Sequence, residues 1–200
     1  MDGEARKLMM SIASSQMTLE EYLNYENHTD THYELVNGKL VSVSPESRLN
    51  SQIAMFLVLE LAKLVPFDLI CHKDTEIETS GRLATVRLPD VMVLTERLKE
   101  VLGNARSTIT HNMPPPSLAI EVVSPGKANE AQDYRYKRSE YAARGIEEYW
   151  IVDPTRQRIT VLTLVEGLHE ERVYRGDEQI VSPMFPDWEL TSERVMKARR

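Results

Sequence analysis

Residues 117–154 read SLAIEVVSPGKANEAQDYRYKRSEYAARGIEEYWIVDP, an order that implies strand, helix, strand. The apolar residues Leu118-Ala119-Ile120 and Val122-Val123 are closed by Ser124-Pro125-Gly126. A run of this kind is a strand buried on both faces. One carboxylate, Glu121, stands in its middle. A lone charge there costs on the order of several kcal/mol unless it is paired, hydrogen-bonded or bound to a metal, so Glu121 requires a partner. Period-2 alternation puts Ala119, Glu121 and Val123 on one face and Ile120 and Val122 on the other. The spacing then predicts an amphipathic helix over 128–144, with Asn129 as N-cap and Gly145 just past its end. Residues 148–152 form a second strand, stopped by Asp153-Pro154.

Upstream, Thr18 and Glu21 form a capping box for a brief helix whose apolar face is Leu19, Tyr22 and Leu23. Asn37-Gly38 separates two β-rich runs, 31–36 and 39–43, which is a strong short hairpin signal because both turn residues need positive φ; Ser44-Pro45 closes it. From 47 to 65 the period turns helical, with Ile53, Phe56, Leu57, Leu61 and Leu64 on one stripe and Pro66 as the stop. Residues 68–79 and 86–94 read as extended, the second run interrupted at Pro89. A short helix follows over 95–102, then a loop over 103–116 with three consecutive prolines. Downstream, 158–165 and 169–174 alternate around Glu166-Gly167 as a hairpin, and the remainder from Gly176 reads as irregular. The expected fold class is α/β (α+β): a mixed β-sheet flanked by helices.

The totals limit what such a domain can do. Two hundred residues, 42% of them hydrophobic, suit one globular domain: a leader over 1–16, a domain over 17–190 and a basic tail over 191–200. The net charge of −7 provides no global basic field to draw the protein to nucleic acid or anionic membrane, although a local basic groove is compatible with it. The single cysteine, Cys71, excludes an internal disulfide and a thiolate metal cluster, which points to a reducing compartment. No apolar stretch approaches the roughly 20 residues that span a bilayer. A soluble, cytoplasmic protein is expected.

Chemistry concentrates in few residues. Pro89-Asp90 opens a strand with a carboxylate, and Glu121 lies on another. Two carboxylates on adjacent strands form an all-oxygen site suited to Mg²⁺, which keeps waters that a phosphate can replace, and the implied chemistry is phosphoryl transfer. On the following helix Tyr134, Lys137 and Tyr141 fall on one face at i, i+3 and i+7, and Asp133 stands four residues before Lys137. The plain expectation for that last pair is a surface salt bridge of about 0.3–0.5 kcal/mol. Elsewhere, His28 and His32 share an i, i+4 spacing but in a turn-rich segment, which argues against a zinc pair. Asn27-His28-Thr29 fits a glycosylation acceptor that has no role in a cytoplasmic protein, and Cys71 reads as a buried structural thiol.

Taken together, Tyr33-Glu34-Leu35, Asn37-Gly38, Pro89-Asp90, Ile120-Glu121-Val122-Val123-Ser124-Pro125, and Asp133, Lys137 and Tyr141 ahead of 145–154 resemble one family. The chain is similar, over roughly 17–190, to the Uma-type restriction-endonuclease family of the PD-(D/E)XK nuclease superfamily. The resemblance implies a restriction-endonuclease-like core and a Mg²⁺-dependent site, with Mn²⁺ as an alternative ion. Asp90 and Glu121 would be metal ligands and catalytic residues, and Glu34 an additional acid. The superfamily lysine normally stands two residues after the second acid, where this chain has Val123; Lys137 occupies the place to which it has migrated in similar members. A position after Ser44-Pro45 that is often histidine in relatives has Asn50 as its nearest match here.

The expected function is hydrolysis of phosphodiester bonds in nucleic acid, DNA first, by a metal-dependent endonuclease. Arg48, Lys127, Arg135 and Arg138 would supply local positive charge, and Arg82 and Arg87 could join them in space. Cutting both strands with one site per chain favours a homodimer. The alternative is a catalytically silent nucleic-acid-binding or scaffolding module on the same fold.

Overall fold

The computed structural model describes residues 16–25, 33–43, 46–103 and 107–198. Nearly all of the 1–16 leader, His28, His32, the Asn27-His28-Thr29 acceptor and Ser44-Pro45 lie outside the described residues.

Helix α1 (Leu19–Leu23) opens on a complete capping box: the Glu21 amide donates to Thr18 Oγ1 at 3.2 Å and the Thr18 amide to Glu21 Oε2 at 2.7 Å. Its Tyr22 packs on Leu35 and Val86. Strands β1 (Tyr33–Val36) and β2 (Lys39–Ser42) are joined by Asn37 and Gly38 at φ 49° and 74°, the hairpin turn expected of Asn-Gly. Helix α2 (Arg48–Leu61) is capped by Ser47 and buries Ile53, Phe56, Leu57 and Leu61. It ends before Leu64, which is exposed. The chain ahead of Pro66 is excluded from helical geometry, so the last turn unwinds early.

The two runs that read as extended, the second with its break at Pro89, are each divided between two sheets. Residues 68–79 contain a 3₁₀ turn (Phe67–Leu69), β3 (Ile70–Cys71) and β4 (Glu76–Thr79). Residues 86–94 split into β5 (Thr85–Arg87) and β6 (Val91–Val93), with Pro89, which has no amide hydrogen for a ladder, at the switch. Helix α3 (Glu96–Leu102) follows, and the segment expected as pure loop contributes β7 (Thr108–Ile109), which pairs parallel to β4.

The decisive stretch forms β8 (Leu118–Val122), a helical rod α4 and β9 (Glu148–Asp153). The rod starts as Lys127–Ala131, passes through π-helical winding over Gln132–Lys137 and finishes as Arg138–Arg144, where Gly145 at φ 84° stops it. Asn129 is therefore not an N-cap; it lies inside the first turn and its Nδ2 donates to the Pro125 carbonyl at 3.0 Å. β8 and β9 pair in parallel, as a helical crossover requires. Strands β10 (Arg158–Val165) and β11 (Leu168–Tyr174) turn at Glu166-Gly167. The last helix, α5 (Ser192–Lys197), corrects the expectation of an irregular basic tail over 191–200: Val195 and Met196 are buried in the core that includes α2.

The strand order is β2-β1-β5-β4-β7 in the smaller sheet and β11-β10-β9-β8-β6-β3 in the larger. One face of the larger sheet, with Ile120, Val122, Trp150 and Val152, packs on α2 and α5. The opposite face, with Ala119, Val123, Tyr149 and Ile151, packs on Tyr141 of α4 and on Leu98. Glu121 belongs to this second face, as the alternation requires. No helix among the described residues is long and apolar enough to cross a membrane.

Candidate active site

Antiparallel pairing of β6 with β8 sets Val91 opposite Ile120 and Met92 opposite Ala119. One step further along the same register brings Asp90 opposite Glu121, and directly opposed residues share a face. Asp90 is anchored there by the Val122 amide, which donates to its Oδ2 at 2.6 Å. Both carboxylates line one pocket of about 140 Å³, together with Glu34, Glu46, Asp133 and Lys137. Cys71, the other residue considered for chemistry, is buried in the second core, and burial pushes its thiol up to about 11, so it is an inert structural thiol.

Glu34 arrives from the other sheet. Leu35 pairs with Val86, and the next step sets Glu34 beside Arg87. Arg87 donates to Glu34 Oε2 at 2.9 Å, to both oxygens of Glu140 at 2.7 and 2.8 Å, and to Gln132 Oε1 at 3.0 Å. The Leu88 amide donates to Glu34 Oε1 at 3.2 Å. Arg87 is 1% exposed, so it belongs to the architecture of the site and is not available to join a nucleic-acid-facing patch.

Lys137 reaches the centre from α4. Its Nζ lies 2.8 Å from Glu121 Oε2, 3.2 Å from Asp133 Oδ1 and 3.8 Å from Glu34 Oε1. The Asp133–Lys137 pair is thus buried, not a surface salt bridge. Positions four apart share a helix face, and the face with Asp133, Lys137 and Tyr141 is the one turned to the site, while the π winding over Gln132–Lys137 widens the turn there. Tyr134 turns away, with its hydroxyl donating to Asp153 Oδ2 at 3.1 Å and Arg158 over its ring. The Tyr149 hydroxyl donates to the Asp133 carbonyl within the widened turn at 3.1 Å, and Tyr141 donates to Glu121 Oε1 at 2.7 Å. Val123, in place of a strand lysine, is buried in the apolar core.

The charges are tightly coupled. Burial pushes the Glu121 carboxyl up to about 8, reinforced by Asp90, Asp133 and Glu34 and opposed by the Lys137 ammonium. Burial likewise raises Asp133. For Glu34 burial also acts upward, but Lys137 and Arg87 outweigh it and hold the carboxyl below the ordinary carboxylate range. Burial works against the Lys137 charge, yet Glu121, Asp133 and Glu34 keep its proton bound well above the usual lysine value. The raised Glu121 value comes first from burial, and the single ammonium of Lys137 does not offset that burial together with three neighbouring carboxylates. A hard divalent cation fits the chemistry of this donor set, since every candidate donor is an oxygen. Among the described residues no three His, Cys, Asp or Glu side chains are grouped to hold a metal, so a cation here would rest on one or two carboxylates and water, as Mg²⁺ does.

The pH dependence follows in sign. A carboxyl raised from an unfolded value near 4.5 to about 8 contributes stability that is fully present below the unfolded value and lost as pH rises through about 8. Metal-free protein is therefore expected to show a lower urea midpoint at pH 9 than at pH 6. Glu121→Gln should flatten that slope; an undiminished slope in the variant would assign it to another group.

A family model described as "Putative restriction endonuclease" matches residues 19–193. The chain belongs to the Uma2 family. A crystal structure from Anabaena variabilis ATCC 29413, described as "a putative nuclease belonging to DUF820", is similar to this member at 17% identity and a TM-score of 0.69, covering 91% of this chain and 98% of that one. At that identity the likeness supports the fold alone, a mixed α+β arrangement with helices flanking the sheets. No curated protein matches the Uma2 chain significantly.

The expected nucleic-acid-contacting residues of this Uma2 protein differ in how free their side chains are. Arg48, at the start of α2, and Lys127 and Arg135, on α4, are exposed. Arg138 is committed to β11 through Glu171 and through the His169 carbonyl at 2.8 Å. Asn50 is buried, and its Nδ2 donates to the Val122 and Val123 carbonyls at 3.3 and 3.2 Å, so it ties α2 to the end of the Glu121 strand. Sequence reasoning missed Glu46 and Lys73, which pair with each other beside Asp90, and the bridging role of Arg87. Alternation in 85–87 puts Arg87 on the face opposite Val86, which by itself reads as outward-facing, so no local pattern marks either Arg87 or Lys73.

Proposed function

We propose that this chain is a metal-dependent endonuclease that hydrolyses phosphodiester bonds of nucleic acid, with DNA as the first substrate to test. The observation carrying this reading is the buried lysine, Lys137, held by Glu121, Asp133 and Glu34 at a pocket that Asp90 also lines, in a chain of a family described as restriction endonucleases. Asp90 and Glu121 would hold Mg²⁺ or Mn²⁺, which when bound supplies charge neutralisation at phosphate and a lowered pKa for attacking water. Lys137 holds a proton at Nζ and donates toward the pocket, where it orients the attacking water or stabilises the developing oxyanion. Glu34, fixed by Arg87 and the Leu88 amide, orients that ammonium and serves as the additional acid. Tyr141 fixes the Glu121 rotamer through Oε1. Arg48, Lys127 and Arg135 would contact the phosphate backbone, and two copies acting together would cut both strands.

A supercoiled-plasmid assay tests the reading. Nicking is expected with Mg²⁺ or Mn²⁺, to stop with EDTA and to be lost in Asp90→Asn. Both Glu121 oxygens already have protein partners, which favours a second reading: a non-cutting nucleic-acid-binding module. DNA binding that persists in EDTA with no cleavage under any metal would select it.

A further inference from the structure

The loop between β3 and β4 carries a second lysine, Lys73, paired with two carboxylates of the pocket. Lys73 stands at φ 58°, in the left-handed region, where a residue with a β-carbon is strained. The neighbouring turn holds it there: Asp74 Oδ1 accepts from the His72 amide at 3.1 Å and from the Thr75 hydroxyl at 3.1 Å. The side chain is 26% exposed and spans two carboxylates, with a close ion pair to Glu46 and an Nζ–Oδ1 separation of 3.4 Å to Asp90. Both carboxylates line the pocket. The pair is largely shielded from water, Glu46 being 20% and Asp90 13% exposed, and backbone strain of this kind collects where a side chain must be aimed. The Lys73 ammonium rests on Glu46 and reaches Asp90 at Oδ1, the oxygen that the Val122 amide leaves free.

We propose that Lys73 is a positioning residue that stands in for the divalent cation at Asp90. Its ammonium neutralises Asp90 and Glu46 in the metal-free chain, keeps the two carboxylates from repelling, and must be displaced for a cation to load. It thereby sets the metal concentration at which the site fills. This rests on the assignment of Asp90 as a metal ligand.

Mn²⁺ binding followed by electron paramagnetic resonance of the free ion, at fixed pH and ionic strength, tests it without reference to cleavage. Lys73→Met is expected to tighten Mn²⁺ binding about tenfold, the scale of one unit charge acting on a divalent ion through water-accessible space. Lys73→Arg, which restores the charge, should return the dissociation constant to wild type. Lys73→Gly removes the charge and the backbone strain together and gives the same tightening if the Met variant is poorly folded. Binding that is lost in Asp90→Asn but is unchanged or weaker in both uncharged variants overturns the role of Lys73 alone. Binding that Asp90→Asn leaves untouched overturns the metal-site reading itself.

Discussion

Glu121→Gln is expected to reduce phosphodiester cleavage by a factor of about 10²–10³ while leaving stability near pH 7 within about 1 kcal/mol of wild type. The activity loss follows from removing one charged oxygen donor, a change worth several kcal/mol where a metal neutralises transition-state charge. The stability outcome follows from protonation. Glu121 in the metal-free fold takes up a proton below about 8, so a neutral amide of the same shape resembles the state already present. Lys137→Met should behave differently. It removes the ammonium shared by the buried Asp133 and Glu34 carboxylates beside Glu121, so cleavage is lost and the fold is destabilised by about 3–5 kcal/mol. Single-turnover cleavage and urea unfolding on the two variants separate the effects. A Glu121→Gln enzyme that cuts within a few-fold of wild type would remove Glu121 from the mechanism.

The largest effect on folding is expected at Arg87, outside the pocket. Its guanidinium is fully buried and binds Glu34, both oxygens of Glu140, and Gln132. Replacing it with Met keeps the stem volume but strands two carboxylates away from water, and loss of one member of a buried ion network costs about 3–5 kcal/mol. The same change frees Glu34, so Lys137 loses an orienting contact. Restoring neutrality in a Glu34→Gln, Arg87→Met, Glu140→Gln triple variant should recover much of the stability but not activity, because the desolvation penalty disappears with the charges. An unfolding free energy for Arg87→Met, from urea titration, within about 1 kcal/mol of wild type would mean that water reaches the cluster and that the buried network contributes little.

Much of this architecture follows from short-range patterns along the chain. The Thr18–Glu21 capping box, the Asn37-Gly38 turn and the alternation that turns Glu121 away from Ile120 and Val122 are dictated by backbone sterics and local hydrogen bonding, so they are legible in residue order. So was the need of Glu121 for a cationic or metallic partner, because burial of a charge is costly wherever the strand lies. The partition of 68–79 and 86–94 between two sheets was not legible, since each run is apolar enough for either and the choice depends on which neighbour completes its ladder. The face of α4 was legible in part. The spacing already places Lys137 with Tyr141 and Asp133 with Lys137, but it also includes Tyr134. In the wider π turn, bonded to Tyr149 of an adjacent strand, Tyr134 points to Asp153 instead. The Arg87 network and the Lys73 bridge join residues far apart in the chain, and their energies exist only after the two sheets and the β3–β4 loop have come together to exclude water.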